Sequence, residues 1–475
     1  MRAMCMLIGW LCLTATAGAA SSDWPQYLGP SRNGVAPEAK LARTWPEGGP
    51  RVLWSIEVDE GYGGAIIQDG KAYFMDRIDS SEDRLRCVDL NSGKELWHFG
   101  YDAPGRLSYP GSRSHPLING DLIFTCGAHG DFYCVNITTG KPVWNRNVWT
   151  DYGGEREPRW GITQNPLIYG QTVIVASQAP KAGLIAFDQE TGKEVWVSPK
   201  LPGRPGYVSP ILTRIEGQDQ LVMVTAGQPG GRGGRPPRER GGVGGRAGEP
   251  PRNDEGARPP RPQGPDRMMD RQRPQERRPM EGSGSGEKGA VIGIDPTTGK
   301  ELWTYEGWQC QTPVPPATAI GDGRIFVTGG YGAGSAMIRI VRSGSGFEAK
   351  EIYKTQDFGT HVHPPIVHDG HLYAHCSDNH GRSDGMVCMN LDGNVQWKTG
   401  RDPAFNKGGF IFVGDLSLHI DGSKGILYLM EPNPEAFKSL TQAQVLDGRS
   451  WAPLSLSDGK LIVRDQETMK CLMVK

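Results

Sequence analysis

A short turn followed by a tryptophan recurs along this chain, and this repeat restricts the possible folds more than any other feature. The copies read NSGKELW at 91–97, TTGKPVW at 138–144, ETGKEVW at 190–196, TTGKELW at 297–303 and LDGNVQW at 391–397. The tryptophans Trp54, Trp97, Trp144 and Trp196 follow one another at intervals of 43, 47 and 52 residues. A period of this length, built from short apolar runs, is typical of a β-propeller blade.

Each repeat contains four runs of about strand length. In one copy they are QNPLI, TVIVA, LIAFD and the segment that begins at Trp196. Four such runs predict one four-stranded antiparallel sheet. The turn glycine is expected to supply a positive φ between the third and fourth strands. The tryptophan is expected to cover the interface with the next blade.

The number of repeats predicts eight blades. The predicted fourth strands carry Trp54, Trp97, Trp144, Trp196, Trp303, Tyr353, Trp397 and Val445. The last repeat has only three strands before the chain ends, whereas residues 51–58 carry a fourth-strand tryptophan with no preceding three. Pairing these two segments would close the ring and remove both open sheet edges. We therefore predict an all-β, eight-bladed β-propeller of four-stranded antiparallel blades, closed by an N-terminal strand.

The N-terminal residues predict export. Arg2, an apolar run and small residues ending near Ala20 form the pattern of a cleaved signal peptide over residues 1–20, which leaves 21–475 as the propeller. A membrane anchor is disfavoured because this apolar run is shorter than the roughly 20 residues needed to span a bilayer. We expect a soluble protein in the periplasm or outside the cell, without a transmembrane segment.

Cysteine placement favours packing over a disulfide framework. Cys87, Cys134 and Cys388 share one repeat position, and Cys126 and Cys376 share another. Other repeats carry Ala or Gly at both positions, so a small buried side chain is expected there. Disulfides between Cys126 and Cys134 and between Cys376 and Cys388 remain the alternative in an exported protein.

The repeat resembles that of a known family. The DxxTGKxxW pattern is similar to the repeat of pyrroloquinoline-quinone (PQQ) enzymes and of the related outer-membrane assembly factor BamB. The segments SDWPQYLGPSRNG at 22–34 and WAPLSLSDGKLIVRDQ at 451–466 resemble exported PQQ-like propellers. This resemblance implies the fold more strongly than an activity, because the repeated residues are structural.

The chemistry that the resemblance implies can be compared with the residues present. PQQ alcohol dehydrogenases stack their cofactor on a disulfide between adjacent cysteines and hold calcium with Glu, Asn and Asp. This sequence has no adjacent cysteine pair and no C-x-x-C-H haem motif. PQQ is therefore not expected. We predict an exported non-catalytic scaffold, with a PQQ- or metal-dependent oxidoreductase of the quinoprotein type as the alternative.

One segment interrupts the repeat. Residues 227–289, in blade 4, are rich in Arg, Gly and Pro and poor in large apolar residues. Such a segment cannot bury enough surface to offset its conformational entropy, which predicts disorder. It could be a solvated loop or could bind an anionic surface. The net charge of −1 gives no reason to expect specific nucleic-acid binding.

A ligand site is expected at the channel mouth, where the segments before the first strands meet those after the second strands. The polar and aromatic residues predicted there are Arg113, His115, Arg159, Trp160, Gln164, Asn165, Tyr207, His361, His363 and Trp451. This composition suits a protein, peptide or carbohydrate partner better than a small apolar molecule. An ordinary solvated channel mouth is the alternative.

Histidines concentrate in blade 6. His361 and His363 share one face of an extended segment, and the antiparallel second strand returns His375 to the same end. Imidazoles at this spacing could bind Zn²⁺ or Cu²⁺. Solvated or hydrogen-bonding histidines are the alternative.

Overall fold

The architecture is a ring of eight four-stranded antiparallel sheets, as predicted. A computed structural model describes residues 23–36, 40–227, 287–377 and 383–475. Within these ranges one 3₁₀ turn, Thr150–Tyr152, interrupts the strands. No helix in the described ranges has the length and apolar character needed to cross a membrane.

The first four blades follow one another along the chain, each with its strands in sequence order. Their strands are Ile66–Gln68, Lys71–Ile78, Glu82–Asp89 and Glu95–Asp102 in blade 1; Leu117–Asn119, Leu122–Cys126, Asp131–Asn136 and Pro142–Asn147 in blade 2; Leu167–Tyr169, Thr172–Ala179, Ala182–Asp188 and Glu194–Val197 in blade 3; and Ile211–Ile215, Gln218–Val224, Val291–Ile294 and Glu301–Tyr305 in blade 4.

Blades 5 to 7 repeat this order, and blade 8 combines the two ends of the ring. Their strands are Thr318–Gly321, Arg324–Gly329, Gly334–Ser343 and Gly346–Thr355 in blade 5; Ile366–His368, His371–Ser377, Ser383–Asn390 and Val395–Lys398 in blade 6; Phe410–Val413, Leu416–Ile420, Ile426–Met430 and Ser439–Gln444 in blade 7; and Ser455–Ser457, Lys460–Arg464, Thr468–Met473 and Arg51–Glu57 in blade 8. Val445 directly follows the last strand of blade 7 instead of lying within it.

Ring closure occurs as predicted. Arg51–Glu57 pairs antiparallel with Thr468–Met473, and Trp54 lies opposite Cys471. The strand from the start of the propeller therefore completes the sheet at its end, which satisfies backbone groups that would otherwise form two open edges.

The repeated tryptophan joins neighbouring blades. The Trp144 ring lies where a Cβ on Gly192 of the next blade would be, and its indole N–H donates to the backbone carbonyl of Gln189, at 2.8 Å. The turn glycine also has the predicted positive φ, 65° at Gly192. Glycine is therefore required for two reasons, since any side chain would strain the turn and displace the neighbouring tryptophan.

The small residues of the third strands lie opposite these tryptophans. Cys87 pairs with Trp97, and Cys134 pairs with Trp144. A small side chain on one strand leaves room for the indole on the next. The seven described cysteines are all buried and free, so the alternative of two disulfides is not realised.

A segment before the first blade crosses the channel, which the sequence did not lead us to expect. The backbone of Trp24 pairs with Ile67 of blade 1, and Val35–Ala36 pairs in parallel with blade 7. Between them, Arg32 donates to the carbonyl of Pro166 ahead of blade 3, at 2.8 Å. The Trp24 side chain is almost fully buried. Residues 23–36 therefore contact blades on several sides of the ring and tie them together.

Several predicted features fall outside the described residues. These are the signal peptide at 1–20, the insertion except for Gly227 and residues 287–289, and His380. The strands on either side of the insertion are the second and third of blade 4.

Candidate functional site

A pocket of about 170 Å³ lies at the channel mouth, where the segments leading into the first strands converge. Aromatic rings make up much of its wall. They belong to Tyr27, Tyr62, Tyr109, Trp160, Tyr207, Tyr331 and Trp451. Tyr27 comes from the segment that crosses the channel, and its ring centroid lies 5.1 Å from that of His115.

Regular spacing positions the lining residues. Tyr62, Arg113, Tyr207 and Trp451 each stand four residues before the first strand of their blade. Residues two positions before these strands, including His115, Asn165, Ser209 and Pro453, also line the pocket. Side chains in an extended segment alternate in direction, so both positions face the channel. This spacing is the sequence pattern that could have identified Tyr62.

The structure brings most of the predicted mouth residues together. Those lining the pocket are Arg113, His115, Trp160, Asn165, Tyr207, His361, His363 and Trp451. Arg159 lines a neighbouring pocket, and Gln164 is buried but lines neither. Gln164 lies between the two inward-facing positions, which explains its different direction. A role for any of them in ligand binding stays a prediction.

His115 and Asn165 join adjacent blades. His115 Nε2 accepts a hydrogen bond from the Gly64 N–H at 2.8 Å, so the proton of its neutral ring is on Nδ1, 3.3 Å from Asn165 Oδ1. The same oxygen accepts the His115 N–H, and the Asn165 N–H donates to Ser209 Oγ. Burial lowers the pKa of His115 to about 3. The ring is therefore a neutral structural link between blades at ordinary pH.

Cations lie against the aromatic rings. Lys407 Nζ is 4.1 Å from the ring centroid of Trp451, and Arg449 Cζ is 4.7 Å from it. Arg113 Cζ lies 5.9 Å from the ring centroid of Tyr62. These distances are within the range of cation–π attraction.

Arg113 supplies positive charge to the pocket wall. Its guanidinium donates to the backbone carbonyls of Gly111 and Tyr109. Burial lowers its pKa to about 10, so it remains charged at neutral pH. The pocket lining includes no Asp or Glu among the residues that the structure describes. The site is therefore positively charged, aromatic and partly desolvated.

A second pocket of about 450 Å³ adjoins the first and shares Trp160 and Tyr207 with it. Arg156, Arg159 and Arg204 line this pocket. All three are exposed, and none forms an ion pair within the described parts of the chain.

The three histidines of the predicted metal site, His361, His363 and His375, do not all lie together. His361 and His363 line the first pocket, where His363 Nε2 donates to the backbone carbonyls of Lys407 and Trp451, each at 3.1 Å. His375 lies away from that pocket, buried between blades 6 and 7. No group of three or more His, Cys, Asp or Glu side chains suited to a metal ion occurs in the described ranges. The Zn²⁺ or Cu²⁺ site thus stays a prediction without geometric support.

His375 instead belongs to a buried chain of hydrogen bonds. Its Nδ1 lies 2.8 Å from the carbonyl of Gly408, which can only accept, so Nδ1 carries the proton. Its Nε2 then accepts from His419 Nδ1 at 3.0 Å, and His419 Nε2 accepts from Ser417 Oγ at 2.9 Å. Burial lowers the pKa of both rings, that of His419 to about 3. Because each ring donates through one nitrogen and accepts through the other, both rings must be neutral.

By sequence, the chain matches two kinds of known protein, the BamB family and quinoprotein dehydrogenases. A sequence model of the family described as outer membrane protein assembly factor BamB matches residues 81–234 and 287–433. The quinoprotein alcohol dehydrogenase PedH of Pseudomonas putida is 28% identical over 153 residues, which are 30% of this chain and 24% of that protein. The quinoprotein ethanol dehydrogenase of Pseudomonas aeruginosa is 28% identical over 170 residues, 33% of this chain and 25% of that protein. The matched part thus spans about a quarter of the length of these relatives.

Solved structures are similar over most of the chain. BamB from Moraxella catarrhalis has a TM-score of 0.53 at 12% identity, covering 89% of this chain and 99% of that one. The quinohemoprotein alcohol dehydrogenase of Comamonas testosteroni has a TM-score of 0.58 at 13% identity, covering 96% of this chain and 81% of that one. At these identities the structures show a shared fold. Together with the repeats and the eight-bladed ring, the sequence match shows that this chain belongs to the BamB-type family of PQQ-like β-propellers.

Proposed function

We propose that this protein is an exported, non-catalytic binding scaffold whose partner, a protein, peptide or carbohydrate, binds in the pocket at the channel mouth. The observation that carries this proposal is the wall of aromatic rings with the cation Lys407 held against Trp451, on whose ring Arg449 also lies. Such rings supply large contact areas at low entropic cost. The name of the matched family, an assembly factor, is consistent with a scaffold.

The pocket histidines support binding more than proton transfer. His115 uses both ring nitrogens to join blades, and His363 donates to two backbone carbonyls. A general base needs a pKa near the working pH, whereas burial lowers that of His363 to about 4. These rings therefore hold the shape of the pocket.

An oxidoreductase is the second candidate, favoured by the similarity to quinoprotein dehydrogenases. We tested whether the residues present fit PQQ and the metal ion that accompanies it in such enzymes. Neither pocket is lined by a carboxylate or cysteine side chain in the part of the chain that the structure describes. The donor set thus does not fit PQQ with a bound metal.

Tryptophan fluorescence can test the scaffold proposal because Trp160 and Trp451 line the pocket. The purified chain would be titrated with a panel of neutral oligosaccharides, acidic oligosaccharides and short peptides. We expect at least one class to bind, with an affinity lowered about tenfold or more by Trp451→Ala, the loss typical of an interface anchor. The exposed Val143→Ala is the matched control, since Val143 lies on an outer strand.

The same preparation would be incubated with PQQ and Ca²⁺ or a lanthanide ion, then mixed with ethanol and a redox dye. We expect no dye reduction. Dye reduction that depends on PQQ would contradict the scaffold function and favour the oxidoreductase function. If Trp451→Ala lowered the affinity for no ligand in the panel, this result would also contradict the proposed site.

A further inference from the structure

The two pockets are connected by a continuous belt of aromatic rings. Starting at Trp451, the ring centroids are 5.6 Å apart to Tyr62, 6.2 Å on to Tyr109, 6.4 Å on to Trp160 and 4.9 Å on to Tyr207. Trp160 and Tyr207 belong to both pockets. Tyr109 is 37% exposed, so the belt is accessible at its middle. This arrangement makes one elongated surface out of two cavities.

Positive charge follows the belt along its whole length. Arg113 and Lys407 line the first pocket, and Arg449 lies against its Trp451 ring. Arg156, Arg159 and Arg204 line the second pocket and form the arginine cluster. Glu155 and Glu157 flank Arg156 in the chain, but neither lines a pocket, and the Glu157 carboxylate lies 3.0 Å from His129 Nδ1. Within the described residues, the three arginines of the cluster form no ion pair, and no carboxylate lines either pocket. A ligand that supplies carboxylates would complete it.

We propose that the two pockets form a single groove that binds an anionic oligosaccharide of the uronic-acid class. This inference rests on the proposed scaffold function and names its ligand class. The apolar faces of successive sugar rings stack on the belt, as aromatic rings favour, and the sugar carboxylates pair with Arg113 and the arginine cluster. Arg113 is partly buried, which strengthens its attraction for a carboxylate relative to a fully solvated contact.

Backbone hydrogen bonding favours a sugar over an acidic peptide. Peptides that bind along a groove commonly add a strand to free backbone groups. Here the N–H of Tyr62 donates to Ser112, that of Tyr207 donates to Pro313, and Arg204 pairs with Ala226 in both directions. These main-chain groups are already paired within the protein. Recognition is left to side chains, which suits a ligand with carboxylates and apolar ring faces.

The test uses hexagalacturonate as the probe, its methyl ester as a neutral analogue and hexaglutamate as an acidic peptide. Affinities would be measured by calorimetry with the full chain at low and physiological salt. We expect hexagalacturonate to bind at least tenfold more tightly than its methyl ester, and salt to reduce that difference. Arg156→Gln combined with Arg159→Gln and Arg204→Gln should weaken binding about tenfold, the loss expected for three exposed charge contacts.

A second triple variant controls for net charge. Arg51→Gln, Arg342→Gln and Arg401→Gln remove the same charge at exposed positions that line neither pocket, and should leave the affinity unchanged. Every protein in the comparison keeps the Arg-rich insertion, so nonspecific binding to that segment cancels.

Each outcome has a defined meaning. Equal binding of the acid and its methyl ester, or equal loss in both triple variants, would overturn the anionic groove. If a ligand still depended on Trp451 in that case, the scaffold function would stand. Hexaglutamate binding as tightly as hexagalacturonate would overturn the sugar class in favour of an acidic peptide. If no probe or panel ligand depended on Trp451, the scaffold function itself would fail.

Discussion

Acid should unfold this protein at a mildly low pH, because four buried histidines are held neutral. His115, His363, His375 and His419 are each at most 6% exposed. Burial lowers the pKa of His115 and His419 to about 3 and that of His363 to about 4, and it lowers that of His375 as well. In the unfolded chain a histidine has its ordinary pKa, about 6.5.

The direction of the effect follows from proton uptake. Between pH 6.5 and about 4, the unfolded chain binds protons at these rings and the folded protein does not. The stability that the neutral rings contribute is therefore fully present above pH 6.5 and falls as pH falls. From pH 7.5 to pH 5, each ring removes about 2 kcal/mol from the free energy of unfolding, and four rings remove about 8 kcal/mol. Asp59 and Asp131 oppose this loss, because burial raises their pKa values in the folded protein. A loss of this size approaches the total stability of a typical domain, about 5–15 kcal/mol.

Urea unfolding followed by tryptophan fluorescence at pH 7.5, 6 and 5 measures this loss. His419→Asn is the informative variant, because an amide N–H can still donate to His375 Nε2 but cannot titrate. We expect this variant to lose about 2 kcal/mol less than the original chain between pH 7.5 and pH 5. His98→Asn is the matched control, since the His98 side chain is 50% exposed, and it should alter the pH dependence less than the buried His419→Asn does.

The reasoning would be refuted by a free energy of unfolding that changed by less than about 2 kcal/mol between pH 7.5 and pH 5, the contribution expected of a single ring. It would equally fail if His419→Asn and His98→Asn altered the pH dependence by the same amount. Either result would mean that these rings are solvated or charged in the folded protein.

Three further predictions concern the fold. Trp144→Ala should lower the free energy of unfolding by about 3–5 kcal/mol, because it removes the ring that packs on Gly192. The neighbouring exposed Val143→Ala should lower it by less than about 0.5 kcal/mol. Equal effects of the two variants in urea unfolding would contradict the role of the tryptophan. Deleting residues 1–58 should leave blade 8 with three strands and cause aggregation in size-exclusion chromatography, and a monomer with unchanged melting would show that closure is dispensable. Replacing residues 228–286 with a short Gly-Ser linker should shift the melting temperature little, because the Thr225 N–H donates to Ala290 and already holds the two ends together; a loss of several degrees in calorimetry would argue against this.

Local patterns were sufficient to predict the blades. The turn glycine and the tryptophan that follows it lie within one hairpin, and their period along the chain determines the number of sheets. The unmatched strand around Trp54 and the three-stranded end also predicted ring closure, which pairs Trp54 with Cys471. These features depend on contacts within a repeat or on counting repeats, so no knowledge of the assembled ring was needed.

The groups at the centre of the ring were decided only by tertiary structure. Sequence spacing placed His375 with His361 and His363, but its ring bonds to His419 on the next blade. It likewise placed no residue of 23–36 in the channel, although Tyr27 lines the pocket there. Such contacts join residues that are distant in sequence, and they exist only after eight sheets have closed around a common axis. The repeat determined by itself that a ring would form, whereas the side chains that meet at its centre depend on the relative placement of the blades, which no single repeat encodes.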